Sequence, residues 1–297
     1  MSLQKELLNI ERSDVKESLV SFKNFSIGKT VIMVLLYIYT IIQLYPLIWL
    51  LLFSLKDNNE IFGGNVLGLP HNWLWSNYST ALTSGKVGIY FLNSLLITSV
   101  TIVFSSILIS MAAFAIIRMK WKLSKVVLNV FLLGMMVPLH ATLLPLFIVL
   151  QKMNLLDTRL ALILPYTVFA IPMGILVSTG LLQSIPRELE EAACLDGCSI
   201  YKVFYYIILP LMRPALSTIA IFTYLHSWNE LMFANTFINS DEIKTLTVGI
   251  MSLAGEFTTN WGPIGAGLVI ATLPTLLVYF ILSDQVQKSF ISGAVKG

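Results

Sequence analysis

Five stretches of this chain contain no Asp, Glu, Lys or Arg for longer than a bilayer is thick, and that pattern fixes the solvent in which it folds. The runs are Thr30–Leu55, Val87–Ile117, Val126–Gln151, Leu160–Pro186 and Phe257–Ser283, whereas an α-helix needs only about 20 residues to cross the hydrocarbon core. A sixth apolar stretch, Pro214–Asn235, holds one charged residue, Glu230. The composition is 56% hydrophobic and 12% charged, against about 25% charged in an ordinary soluble domain. The expected fold is therefore an all-α membrane protein with six transmembrane helices, a single membrane domain although 297 residues would allow two soluble ones. Pro46, Pro138, Pro145, Pro165, Pro172, Pro263 and Pro274 lie in or at the ends of the runs, where proline breaks the i→i−4 ladder and kinks a helix.

Charge sets the orientation. With residues 1–29 inside, the inner segments carry 14 of the 19 Lys and Arg and the outer segments the remaining 5. The positive-inside rule then puts both termini and the loop Ser184–Pro214 in the cytoplasm. Residues 1–29 mix both charge signs, with Leu3, Leu7, Ile10, Val15, Leu19 and Phe22 at loosely helical spacing, as expected of an amphipathic helix on the inner membrane surface. The segment is too acidic for a secretory signal.

Several chemistries are excluded by what is missing. Gly28-Lys29-Thr30 has the tail of a phosphate-binding loop, but the first glycine of that pattern would fall on Lys23. Cys194 and Cys198 match neither a redox pair nor a zinc site. His140 and His226 stand without metal-ligating company, and no HExxH or GxSxG occurs. The net charge of +3 comes with no basic patch interleaved with aromatics, so no nucleic-acid partner is expected.

The loop SIPRELEEAACLDGCSIYKVFYYIILPLMRP, Ser184–Pro214, is the long polar interruption of the second half. It reads as two short helices joined at a glycine. Pro186 suits a first turn, and Glu188, Glu190 and Glu191 place negative charge where the macrodipole favours it. Ala192 and Ala193 leave a low face that another protein can approach. Gly197 can take the left-handed conformation that ends a helix, and Ser199 is a candidate N-cap for a second helix running to Leu209, before Pro210. An amphipathic hairpin on the membrane face would have the same local features.

Glu191-Ala192-Ala193, three residues, Gly197, nine residues, Ile207, one residue, Leu209-Pro210 resembles the EAA loop of membrane subunits of ATP-binding-cassette importers. The resemblance extends from about Thr30 to Gly297, most closely to the maltose-type carbohydrate-uptake family, through PHNWLWSNYSTAL, Asn93-Ser94-Leu95, Leu156-Asp157-Thr158 and the ending SFISGAVKG. It implies a type I importer permease fold: residues 1–29 a cytoplasmic segment, 30–285 the permease domain with its coupling loop at 184–214, and 286–297 a cytoplasmic tail. Glu190, Glu191, Ala192, Ala193, Asp196, Gly197, Ile207, Leu209 and Pro210 would then engage an ATPase subunit. The tail residues Ser292, Gly293, Ala294, Val295, Lys296 and Gly297 would reach between the ATPase subunits. The implied partners are a second homologous permease, two ATPase subunits that bind ATP and Mg, an extracytoplasmic solute-binding protein met by the outer segment Phe237–Pro263, a carbohydrate cargo and membrane lipid. The implied location is a bacterial or archaeal cell membrane. This chain would hold no cofactor and do no covalent chemistry.

Two local readings stay open. Trp228, Asn229 and Glu230 could line the sugar pathway, since an ionisable group within a span defaults to function; alternatively Glu230 reaches the outer interface or pairs with a polar group on a neighbouring helix. Asp157 or Thr158 is expected to cap the fourth span. Trp73, Trp75 and Tyr78 suit interfacial anchoring, and Asn77-Tyr78-Ser79 matches a glycosylation acceptor of the kind that arises by chance. A secondary transporter would need more ionisable groups within the spans than Glu230. A permease for an anionic solute such as glycerol phosphate would need cations there, which favours neutral sugars.

Overall fold

The computed structural model describes residues 27–119, 121–255 and 259–294. Among these the only β pairing is an isolated bridge between Ala254 and Thr259. The chain divides into two units, Met1–Leu52 and Phe53–Gly297. The first contains most of helix α1, Ile27–Phe53, with Pro46 inside it. Its large apolar side chains from Val31 to Ile48 are exposed, Ile41 by 68%. The expected amphipathic segment lies outside the described residues as far as residue 26.

The second unit holds α2 (Asn58–Phe62), α3 (Ser76–Leu82) and α4 (Val87–Ile117). There follow α5 (Ser124–Leu133), the 3-10 turns Gly134–Met136 and Leu139–Thr142, α6 (Leu143–Lys152) and α7 (Leu160–Ser184). Next come α8 (Glu188–Leu195), then α9 (Ile200–Val203), which continues through the π-helical Phe204–Ile208 into α10 (Leu209–Leu211). The chain closes with α11 (Arg213–Asn229), α12 (Met232–Phe237), α13 (Leu246–Met251) and α14 (Trp261–Ala294).

Among the described residues four helices are long and apolar enough to cross a membrane: Gly28–Phe53, Val87–Ile117, Leu160–Ser184 and Trp261–Ile281. The other two candidates are broken pairs, Ser124–Met136 with Leu139–Lys152 bent by 97° and Ile200–Leu211 with Arg213–Asn229 bent by 70°. The break in the first pair falls at Pro138, one of the prolines expected to kink the spans. Val137, which precedes Pro138, is extended with ψ 117, because the proline ring excludes the helical conformation from the residue before it. The stretch to Asn235 is likewise interrupted, with Glu230 extended at ψ 131 before the chain restarts at Met232.

Why these helices need lipid is visible on α4. Its buried face carries Ser94, Thr98, Thr101 and Ser105, while Leu92, Val103, Phe104, Ile107 and Met111 are exposed. That is the reverse of a soluble amphipathic helix. Small residues let neighbouring backbones approach in an apolar solvent, where large aliphatic side chains gain nothing by hiding. Two of the buried hydroxyls bond back within the helix, Thr101 Oγ1 to the Ile97 carbonyl at 2.8 Å and Ser105 Oγ to the Ile102 carbonyl at 3.1 Å, while Ser94 Oγ accepts from the Leu246 amide at 2.8 Å. Gly174 of α7 meets Ile109 of α4 so closely that a β-carbon there would overlap it. Ile219 of α11 closes a small core with Ile109, Ile116 and Ile175.

At the ends of α4 nearest Asn93, polar contacts organise the connecting segments. The fully buried Lys56 ammonium donates to the carbonyls of Asn65 (2.5 Å), Val66 (3.3 Å) and Gly68 (2.7 Å). Asn77 is buried and donates to the carbonyls of Ser54 and Lys56, both at 2.9 Å. That engagement removes it as a glycan acceptor, which must be accessible. Trp73 and Trp75 are exposed, as interfacial anchors must be.

Candidate functional site

The loop between α7 and α11 folds as two short helices about Gly197, and local chemistry explains it. Glu188, Glu190 and Glu191 occupy the first turn of α8. At its end the Gly197 amide donates to the Cys194 carbonyl at 3.0 Å and the Cys198 amide to the Ala193 carbonyl at 2.9 Å. These two bonds are a Schellman motif, which requires the left-handed residue that Gly197 supplies at φ +80. Ser199 stands at the N-cap position of α9 in extended conformation but makes no side-chain cap bond.

Two expectations are corrected. Ala192 and Ala193 do not share an open face: Ala192 is exposed, whereas Ala193 packs with Ala113, Phe114, Leu182, Val203, Ile208 and Met212. Successive helical residues point about 100° apart, and on α8 that step carries Ala193 round to the packed side while Ala192 stays outside. Nor does the second helix stop before Pro210. It widens into a π turn, with the Leu209 amide donating to the Phe204 carbonyl, and the break falls at Met212. Proline lacks the donor and clashes with the carbonyl four residues back, and the wider turn relieves both.

The outward side of the loop comprises Glu191, Ala192, Leu195, Asp196, Gly197 and Tyr201, with Leu195 89% and Tyr201 81% exposed. Ile207 and Leu209 are half-buried and Pro210 is exposed. Beneath α8 lies a residue that sequence reasoning used only in the charge count. Arg118, at the end of α4, donates from its terminal nitrogen to the carbonyls of Leu182 (2.6 Å) and Ile185 (2.7 Å), and its Nε lies 3.0 Å from Glu190 Oε1. Its side chain is only 3% exposed. In return Arg187 donates to the Ile117 carbonyl at 3.2 Å. The available signal was an arginine abutting a long charge-free run.

Around the other end of α4 and α7 a second set of contacts draws in the segment after α12. Asn93 donates to the carbonyls of Glu242 and Lys244, and its oxygen accepts from Arg159 at 3.1 Å. Asp157 does not cap α7, whose N-cap position is Arg159 without a side-chain bond. It takes φ +58 and accepts from the amides of Asn239 (2.9 Å) and Ser240 (2.8 Å), while Thr158 donates back to the Leu155 carbonyl. The Ser240 and then the Asn239 amide hold the Asp157 carboxyl below the usual range. Turning away from α7 gives an acceptor to two amides of the segment that follows α12.

Trp228, Asn229 and Glu230 separate. Glu230 is 7% exposed, and its carboxylate accepts from Tyr166 Oη (2.6 Å) and from the amides of Phe233 (2.8 Å) and Ala234 (3.1 Å). This is the neighbouring-helix arrangement, with the carboxylate also closing the start of α12. Trp228 is buried and donates to the Ala271 carbonyl at 3.1 Å, whereas Asn229 is exposed. Both border an open hollow of about 470 Å³ with the hydroxyl-bearing Thr247, Thr272 and Thr275. A second hollow of about 430 Å³ between α7 and α11 is lined by Tyr166, Phe169, Met173, Phe222 and His226 among others. Both linings are mainly apolar with a few hydroxyls, as small-molecule sites commonly are. Among the described residues no three His, Cys, Asp or Glu side chains gather to hold a metal. Ser292, Gly293 and Ala294 end α14, and Val295, Lys296 and Gly297 lie outside the described residues.

The helical unit thus carries at one end a short, exposed helix pinned beneath to the ends of α4 and α7. The chain belongs to the family of binding-protein-dependent transport system inner membrane components, whose pattern matches residues 105–292. It is 35% identical to the probable ABC transporter permease protein YurM of Bacillus subtilis (strain 168), over 93% of this chain and 91% of that protein. It is 32% identical to the sulfoquinovosyl glycerol transport system permease protein SmoH of Agrobacterium fabrum, over 86% of this chain and 89% of the other. The fold matches a chain in the crystal structure of a bacterial ABC transporter that imports the acidic polysaccharide alginate, with a TM-score of 0.75 and 23% identity over 87% of this chain and 96% of that one.

Proposed function

We propose that this chain is one permease subunit of an ATP-driven carbohydrate importer, crossing the cell membrane six times with both termini and the loop 184–214 in the cytoplasm. It forms half of the pathway beside a second homologous permease, receives cargo from an extracytoplasmic binding protein, and is driven by two ATPase subunits that bind ATP and Mg. The observation that carries the reading is the loop itself: α8 turns Glu191, Ala192, Leu195 and Asp196 outward while Ala193 and Glu190 fix it to the ends of α4 and α7. A helix built that way passes a push from outside into the bundle. Six crossings follow if each bent pair is one broken span, a form that helices of transporters take where backbone is shielded by protein. The charge asymmetry supports the orientation. The tail Ser292–Gly297 is assigned to the ATPase side with the loop, and residues 1–29 to the inner membrane surface.

Carbohydrate cargo is supported by the sulfoquinovosyl glycerol permease among the relatives, and the hollow bordered by Trp228 and Asn229, mostly apolar with three threonines, is its candidate pathway wall. Within the three we assign the pathway to those two and give Glu230 a packing role. Closure of the ATPase pair can bias the permease only by ATP's differential affinity for its two states, which the loop must transmit. The test is Gly197→Asp and Glu191→Lys in the assembled transporter. Both subunits are expected to reach the membrane but to lose uptake and hold the ATPase weakly. Normal uptake with either change would overturn the assignment.

A further inference from the structure

Resting on that reading, we propose that Arg118 is the positioning residue through which movement of α8 reaches α4 and α7. Three elements meet at one guanidinium. It ends α4 in the chain, it binds the last carbonyls of α7 through Leu182 and Ile185, and it pairs with Glu190 in the first turn of α8. The extended guanidinium lets one terminal nitrogen serve both carbonyls while Nε lies in ion-pair contact with Glu190 Oε1 at 3.0 Å, two separated contacts that the compact ammonium of a lysine covers less well. The charge also lies at the C-terminal ends of α4 and α7 and near the acidic first turn of α8, where helix dipoles favour each partner.

The covalent path from α7 to α8 is Ile185-Pro186-Arg187, and Ile185 is extended with ψ 126. Such a link constrains distance but not tilt. The Arg118 fork, with Arg187 to the Ile117 carbonyl, converts it into a braced joint. Beside it a polar hollow of about 490 Å³ is lined by Gln183, Ser184, Pro186 and Glu188, so the brace stands at the edge of open space. Displacement of α8 is therefore delivered to both spans together, rather than to α7 alone through the backbone.

The experiment measures import and ATP hydrolysis together in the reconstituted transporter, with both permeases, the ATPase subunits and the binding protein. The variants are Arg118→Lys, Arg118→Gln, Glu190→Gln and the double Arg118→Gln/Glu190→Gln. Solute imported per ATP hydrolysed is expected to fall roughly 2- to 30-fold in assembled complexes, the range found when coupling residues are changed. The double change is expected to be no worse than the worse single one, since both remove one interaction. A simple packing role would lower the yield of complex without changing the ratio in what assembles. An unchanged ratio in Arg118→Lys and Glu190→Gln, or losses that multiply in the double variant, overturns the proposal. Should the Arg118 variants not accumulate, Glu190→Gln decides alone, because its side chain is 15% exposed and its substitution leaves no buried cavity. Gly197→Asp and Glu191→Lys are run alongside. If they uncouple while the Arg118 and Glu190 variants do not, Arg118 alone is misassigned; if they too import normally, the coupling loop is.

Discussion

Replacing Glu230 separates a packing carboxylate from a pathway carboxylate, and its geometry sets the size of the effect. Three donors converge on it: Tyr166 Oη and the amide of Ala234 on one oxygen, and the amide of Phe233 on the other. Tyr166, Phe233 and Ala234 are at most 1% exposed, so water cannot replace a lost acceptor. Glu230→Gln keeps one oxygen but presents an NH2 group to the second set of donors. Tyr166 can reverse and accept from that NH2, whereas the facing backbone amide cannot. One buried amide is thus orphaned, at a cost of about 1–3 kcal/mol. Glu230→Ala orphans all three donors. Taking the average of about 0.6 kcal/mol per hydrogen bond found in membrane interiors gives a loss near 2 kcal/mol, and the soluble figure gives several times that. Either is a large part of a margin of about 5–15 kcal/mol. The assay is thermal unfolding of the solubilised subunit alongside uptake by the intact transporter. Stability is expected to fall in the order wild type, Gln, Ala, with the solute preference of surviving transporters unchanged. A Gln variant of wild-type stability but altered preference would refute the reasoning and return Glu230 to the pathway.

Two more outcomes follow from named contacts. Asp157→Asn keeps an acceptor oxygen and tolerates φ +58, and is expected to be nearly silent. Asp157→Ala loses both amides and incurs left-handed strain of about 1–2 kcal/mol, so its thermal unfolding should come earlier. Because the folded carboxyl is held below its ordinary range by the Ser240 and Asn239 amides, its contribution is complete above the unfolded value of about 3.9 and is lost as pH falls through the lower folded value. Exposure keeps that contribution under about 1 kcal/mol, and the Asn variant should show no such acid dependence in the unfolding profile. Gly174→Ala drives a β-carbon into Ile109, which is fully buried. It should destabilise by about 1–3 kcal/mol and be partly rescued by Ile109→Ala, a rescue that unfolding of the double variant would reveal.

The features determined by the sequence alone are those that need only neighbours in the chain. Runs without charge dictate helices in lipid, because every backbone group must be satisfied internally there. The end of α8 was legible because a Schellman motif asks for one glycine at one offset, and Gly197 provides it. What only the tertiary structure decided are the groups whose partners are distant in sequence. Arg118 counted as one charge among 19 until folding brought it under Leu182, Ile185 and Glu190. Asp157 had the type and place of a helix cap, but it meets amides 82 and 83 residues away. Glu230 read as an isolated charge in an apolar stretch; two of its donors, the amides of Phe233 and Ala234, are local, but the third, Tyr166, comes from 64 residues earlier. The alternation of Ala192 and Ala193 between surface and core turned on which side of α8 meets α4. The physical reason is common to all of them: local hydrogen-bonding and solvent preference act along the chain, whereas the cost of a buried polar group is settled by whatever the fold places opposite it.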